Sequence, residues 1–151
     1  MNLVPIAVAA WLLALHLGAG AAEVAYVTEP KRGGIQKVSQ AADARVYRLD
    51  AARHIYDIYQ NRIYRGRLPP LIHAVVVVEM SVDERGQPRD VKVVRGPSHA
   101  PDVTRAVVEM IHLASPMPLH VGMAGNVKFT EIWLVHKDGR FQLDALTEGQ
   151  D

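Results

Sequence analysis

Residues 72–96 read IHAVVVVEMSVDERGQPRDVKVVRG, and their pattern decides the fold class. Ala74, Val76, Val78, Met80 and Val82 alternate with Val75, Val77, Glu79, Ser81 and Asp83. This period of two gives one wholly apolar face and one that turns polar toward its end, as in a half-buried strand. Asp83-Glu84-Arg85-Gly86 closes the strand, with Gly86 available for the positive φ such a turn usually needs. Val91 and Val93, alternating with Lys92 and Val94, make the return strand.

A helix is predicted on either side of this hairpin. Over Leu49–Tyr64, Ala52, Ile55, Tyr56, Tyr59 and Ile63 recur at three- and four-residue steps, with Asp50 as N-cap. Gly66 and Pro69-Pro70 prevent its return. Over Ser98–Ser115, Pro101 and Asp102 suit a first turn, and Val103, Ala106, Val107, Met110, Ile111 and Ala114 form the apolar face. After a loop at His120–Gly125, Val127–Val135 alternates again, Asp138-Gly139 signals a turn, and Phe141–Leu146 returns. The order α-β-β-α-β-β predicts a two-layer α+β domain, an antiparallel sheet with two helices on one face. The domain spans residues 46–146, after a polar arm or linker at 23–45 containing Pro30, Gly33 and Gly34 and before a polar, frayed tail at 147–151.

Residues 1–22 carry no Asp, Glu, Lys or Arg, although the chain has 17 basic and 16 acidic residues. Ile6–Leu17 is almost continuously apolar, and Ala19-Gly20-Ala21 fits a signal-peptidase site. The alternative is a retained anchor. As a helix, the apolar core reaches only ~18 Å against ~30 Å of hydrocarbon, which favours the signal peptide. No Lys or Arg precedes the run, so neither a basic n-region nor a positive-inside flank is present. The chain lacks cysteine, which removes thiolate metal ligands, redox motifs and Cys nucleophiles. A net charge of +1 provides no field that would gather nucleic acid.

Catalytic chemistry is not legible. The seven histidines show no ligand spacing with one another or with carboxylates in the sequence. His54 and Asp57, three apart on the first helix, read as ordinary helix surface, and His112 as a boundary residue. There is no Gly-x-Ser-x-Gly, Walker loop or G-x-G-x-x-G. No catalytic residue, cofactor site or metal site is assigned.

An ordered set of features resembles the C-terminal domain of the TonB family and its TolA-like relatives. A helix ends in Gln60-Asn61-Arg62-Ile63-Tyr64, and a Val-rich strand closes at Val82-Asp83-Glu84-Arg85-Gly86. Val91-Lys92-Val93 follows, then an Asp-led amphipathic helix, Pro116-Met117-Pro118 and the last strand Val127–Val135. The chain departs from the family's pattern where Arg65 follows Tyr64 in place of a proline, and where Leu12 stands one turn before His16 in place of a serine. The resemblance implies a periplasmic domain that binds a protein partner, an outer-membrane receptor peptide or an envelope-complex subunit, by pairing backbone with a strand edge. The contact residues it implies are Gln60, Asn61, Arg62, Tyr64, Lys128, Thr130, Ile132 and Leu134. It leaves open energy-coupled transport against a stand-alone exported adaptor, and a homodimer formed by strand exchange. Whether Phe141–Leu146 covers the edge of Val127–Val135 also stays open at this level.

Overall fold

The computed structural model describes residues 35–150, so the predicted leader and most of the predicted linker lie outside the described residues. The elements are β1 (Val38–Ser39), α1 (Ala44–Ile58), β2 (Ala74–Val82), β3 (Pro88–Arg95), α2 (Pro101–Leu113), β4 (Leu119–His120), β5 (Val127–Val135) and β6 (Phe141–Leu143). Short 3₁₀ turns follow α1 at Gln60–Arg62 and β6 at Asp144–Leu146. The main sheet has the antiparallel order β3-β2-β5-β6, and β1 pairs with β4 in a separate parallel ribbon. The fold is α+β, as the alternating pattern predicts.

β2 and β5 form the centre, paired without interruption from Ala74↔Val135 to Val82↔Val127. The even-numbered residues of β2 and odd-numbered residues of β5 turn inward and are buried, Trp133 completely. The buried residues of α1 and α2 belong to the same core as that inner face. The opposite face carries Val75, Val77, Ile132 and Leu134, all half-buried.

Asp83 organises the first hairpin turn. Its Oδ1 accepts from the amides of Arg85 and Gln87 at 2.9 and 2.8 Å, and Gly86 adopts φ +76°. α1 begins earlier than predicted. Asp43, not Asp50, is its N-cap, accepting from Val46 N at 2.9 Å. The apolar stripe runs back through Ala51 to Tyr47, both buried, so the helix packs along a longer face than Ala52–Ile63 indicates. Asp50 lies mid-helix, where it accepts from Ser39 Oγ at 2.6 Å. Gln60–Arg62 tightens into a 3₁₀ turn with Arg62 N–H on Tyr59 O. α2 is shorter than predicted, starting with Pro101 at its first turn and keeping the predicted buried face.

Two segments predicted to be loose are ordered. The end of the predicted linker forms β1, and Leu119 N–H donates to Lys37 O and Gln36 Nε2 to Met117 O. The tail is tied down because Gln142, 1% exposed, serves two segments at once. Its Nε2 donates to Tyr64 O and Gly66 O at 2.9 and 2.7 Å. Its Oε1 accepts from Thr147 Oγ1 and Glu148 N at 2.8 and 3.2 Å.

Candidate functional site

Backbone pairing by a partner needs an exposed row of N–H and C=O groups, so the sheet's edges decide where it can occur. The outer edge of β3 carries Pro88, charged Arg89, Asp90, Lys92 and Arg95, and two register shifts against β2. Proline, charge and irregularity are the devices that protect an edge from pairing. The outer edge of β6 is partly occupied: Ile63 bridges Phe141, and Tyr64 N–H donates to Phe141 O at 2.9 Å.

The third edge is one half of β5. Trp133–Val135 pair with Phe141–Leu143, and then β6 ends. The predicted return strand Phe141–Leu146 is thus corrected to three residues followed by a 3₁₀ turn. A buried carboxylate explains the stop. Glu131, 1% exposed, accepts from Arg48 Nη2 at 2.8 Å and from Ala145 N at 3.3 Å. The same Arg48 Nη2 reaches Asp144 Oδ2 at 2.8 Å. These contacts draw residues 144–146 off the ladder, and the hydrogen bond to Glu131 raises the Arg48 pKa further. Glu131 Oε1 also accepts from Ile132 N–H at 2.9 Å, sealing the next outward-facing amide.

Alternation fixes which groups remain. His136 N–H points toward the β6 side, bonding Arg140 O at 2.8 Å, and Ile132 N–H points to the same side. The amides and carbonyls of Lys128 and Thr130 share that direction. Among the described residues neither is bonded across this edge. The bare stretch Val127–Glu131 is about 16 Å long at ~3.3 Å per residue. On its inner side lies Phe129, whose ring meets Tyr47 edge-on at 5.8 Å. On its outer side, Lys128 Nζ pairs with Glu79 at 2.9 Å.

The resemblance-derived residues therefore divide. Lys128 and Thr130 lie on the bare edge. Ile132 has its amide capped by Glu131, and Leu134 is paired with Gln142. Gln60 and Asn61 are exposed on the 3₁₀ turn. Arg62 Nη2 donates to Gly139 O at 3.0 Å. The Arg140 guanidinium lies 4.8 Å from the Tyr64 ring centre. The segment Gln60–Tyr64 sits beyond β6, so β6 separates it from Lys128 and Thr130 rather than joining them in one surface.

Two residues of the reading change character. His54 is half-buried, with Nε2 2.8 Å from Ala114 O and Nδ1 buried without a partner among the described residues. Burial lowers its pKa. Asp57 pairs instead with Lys37 of the β1 arm. His112 is exposed. Local pattern also missed the Arg48–Glu131 pair, although a glutamate on an otherwise apolar strand face was the available signal. No described helix is long and apolar enough to cross a membrane. Comparison with protein-family models, curated proteins and solved structures finds no match to this chain.

Proposed function

We propose that this chain is an exported, TonB C-terminal-like domain that binds an extended segment of a partner protein by adding it to the bare half of β5. The backbone groups of Lys128 and Thr130, unoccupied among the described residues, carry this reading, on a strand whose other half is covered and whose sister edge on β3 is protected. A guest strand in line with β6 would meet both residues' N–H and C=O and stop at the Glu131 cap. Its inward side chains would fall near Phe129, which favours small or apolar residues there.

The test selects binding peptides from a displayed library of extended sequences and follows amide hydrogen exchange on complex formation. Protection of Lys128 and Thr130 is expected, with Val91 and Val93, whose amides face the outer β3 edge, unchanged. Protection confined to β3, or unaltered binding by a folded Thr130→Pro variant, overturns the reading. Coupling to outer-membrane transport and service as a soluble adaptor share this edge. They separate on the N-terminus of the exported protein: Met1 retained in the inner membrane for the first, a start at Ala22 or Glu23 for the second.

A further inference from the structure

At the opposite end of β5 from the bare edge, segments far apart in sequence enclose an open cleft of about 420 Å³. That volume lies within the range of about 300–1,000 Å³ usual for small-molecule sites. His73 and His136 lie just beyond Ala74↔Val135, the last pair of the β2–β5 ladder, on the two facing strands. His99 comes from the loop before α2, and Lys137 from the β5–β6 turn. The polar side chains of the lining are thus imidazoles and an ammonium, with no carboxylate among them. Pro69, Leu71 and Ile72, from the stretch after α1, make the apolar wall.

The nearest carboxylate in sequence, Asp138, is already engaged. Its Oδ2 accepts from Arg140 Nη2 and Nε at 2.7 and 2.8 Å, and its Oδ1 from Arg140 N at 2.9 Å. Oδ1 also lies 3.0 Å from His136 Nδ1, and the His136 ring packs on Tyr64 with centres 4.9 Å apart. His136 therefore serves as a fixed wall. His99 Nε2 lies 2.8 Å from His73 O and must donate to that carbonyl. The His99 ring stands edge-on to that of His73, with centres 5.5 Å apart and planes at 80°.

These contacts hold His73 in place without using its ring nitrogens, neither of which has a hydrogen-bond partner among the described residues. A neutral imidazole keeps one N–H to donate in either tautomer. Lys137 Nζ is likewise without a partner among the described residues. Two uncommitted donors therefore share the cleft with Leu71, whose side chain is left in water at 90% exposure. No group of three His, Cys, Asp or Glu among the described residues could hold a metal ion, so the donors call for an anion. The apolar wall calls for a body that covers it.

We propose that this cleft binds a small amphiphilic anion: an oxyanion head, carboxylate or phosphate monoester, on a short apolar body. The head accepts from His73 and Lys137, and the body lies against Leu71 and Ile72.

The experiment is an NMR titration of the untagged chain with octanoate, octyl phosphate, acetate and octylammonium, imidazole signals included. Saturable shifts at Leu71, His73 and Lys137 are expected with octanoate or octyl phosphate, and the tighter of the two identifies the head. Acetate, which has no body to cover Leu71, should bind at least about tenfold more weakly than octanoate. Octylammonium, with the same body and the opposite charge, should not bind. Lys137→Gln should weaken binding by about tenfold and Lys137→Arg should retain it. Leu71→Ser should weaken octanoate and leave acetate unchanged. Both positions are exposed, and thermal melts confirm that the variants are folded. Absence of saturable shifts with either octyl anion overturns the proposal. So does octylammonium binding as tight as octanoate, unaltered binding by Lys137→Gln, or shifts centred instead on the exposed apolar residues Val38 and Val121.

Discussion

At the scale of single residues, Glu131 has the largest consequences. Its side chain is 2% exposed and its Arg48 partner 26%, so the pair is desolvated on one side and wetted on the other. Removing one member of a fully buried pair costs about 3–5 kcal/mol. Arg48 keeps Asp144 and some water, so Glu131→Ala is expected to cost about 2–3 kcal/mol in urea unfolding, below that range. The same change uncovers Ile132 N–H, whose exchange should rise well beyond the loss in global stability. His54 makes a pH prediction. Burial depresses its folded-state pKa below the usual value of 6.5. Above that value both states are neutral and stability is unaffected. As pH falls through 6.5, the unfolded chain takes up the proton first and stability drops, levelling once pH passes the depressed folded value. His54→Gln, which retains a donor for Ala114 O, should flatten this acid limb in unfolding curves taken from pH 7.5 to 4.5.

At the scale of elements, the strands were legible where alternation is strict. β2 and β5 have the limits read from sequence because a one-residue slip would turn five apolar side chains of β2, or four of β5, outward. The apolar face of α2 was legible for the same kind of reason, its 3.6-residue period. The start of α1 was not, because Asp43 and Asp50 are equivalent as local caps and only the burial of Tyr47 decides between them. The end of β6 was not legible either, since it depends on Arg48 reaching residues 83 and 96 positions away. Half of the candidate edge follows from that long-range contact, which no local pattern contains. Gly86 shows how tightly an element's turn is fixed by its surroundings. A Cβ there would stand 2.3 Å from Met117 O on a backbone at φ +76°. Gly86 N–H and C=O are also engaged, with Asp83 O and Met117 N. Gly86→Ala should cost more than about 2 kcal/mol, since left-handed strain of roughly 1–2 kcal/mol adds to displacement of the Pro116–Met117 backbone. Chemical denaturation checks it, and Gly66→Ala, where a Cβ meets nothing within 4 Å, separates the strain from the clash.

At the scale of the whole molecule, closure depends on segments that look featureless alone. The polar tail and the Pro-containing stretch after α1 lack internal periodicity, so neither predicts an ordered path. Each is instead held by the other and by β6: Leu68 N–H donates to Gly149 O at 2.9 Å, and Gly66 N–H to Glu148 Oε1 at 3.1 Å. Gln142 stands between them, all four of its amide contacts directed to these two segments. Leucine has nearly the volume of glutamine, so Gln142→Leu preserves packing while leaving the carbonyls of Tyr64 and Gly66 and the amide of Glu148 unserved. Leaving a buried polar group unpaired costs about 1–3 kcal/mol, and the partly buried tail groups can recover water, so a net loss of about 2–4 kcal/mol is expected. The loss should be local as well as global. Trypsin should cut after Arg65, exposed beside Gly66, faster in the variant under conditions where the core stays folded. Amides of Leu68 and Gly149 should lose protection together, while those of β2 keep theirs. Independent loss at only one segment would mean that Gln142 does not couple them, and the covering of the β6 side would then rest on the Ile63–Phe141 bridge alone.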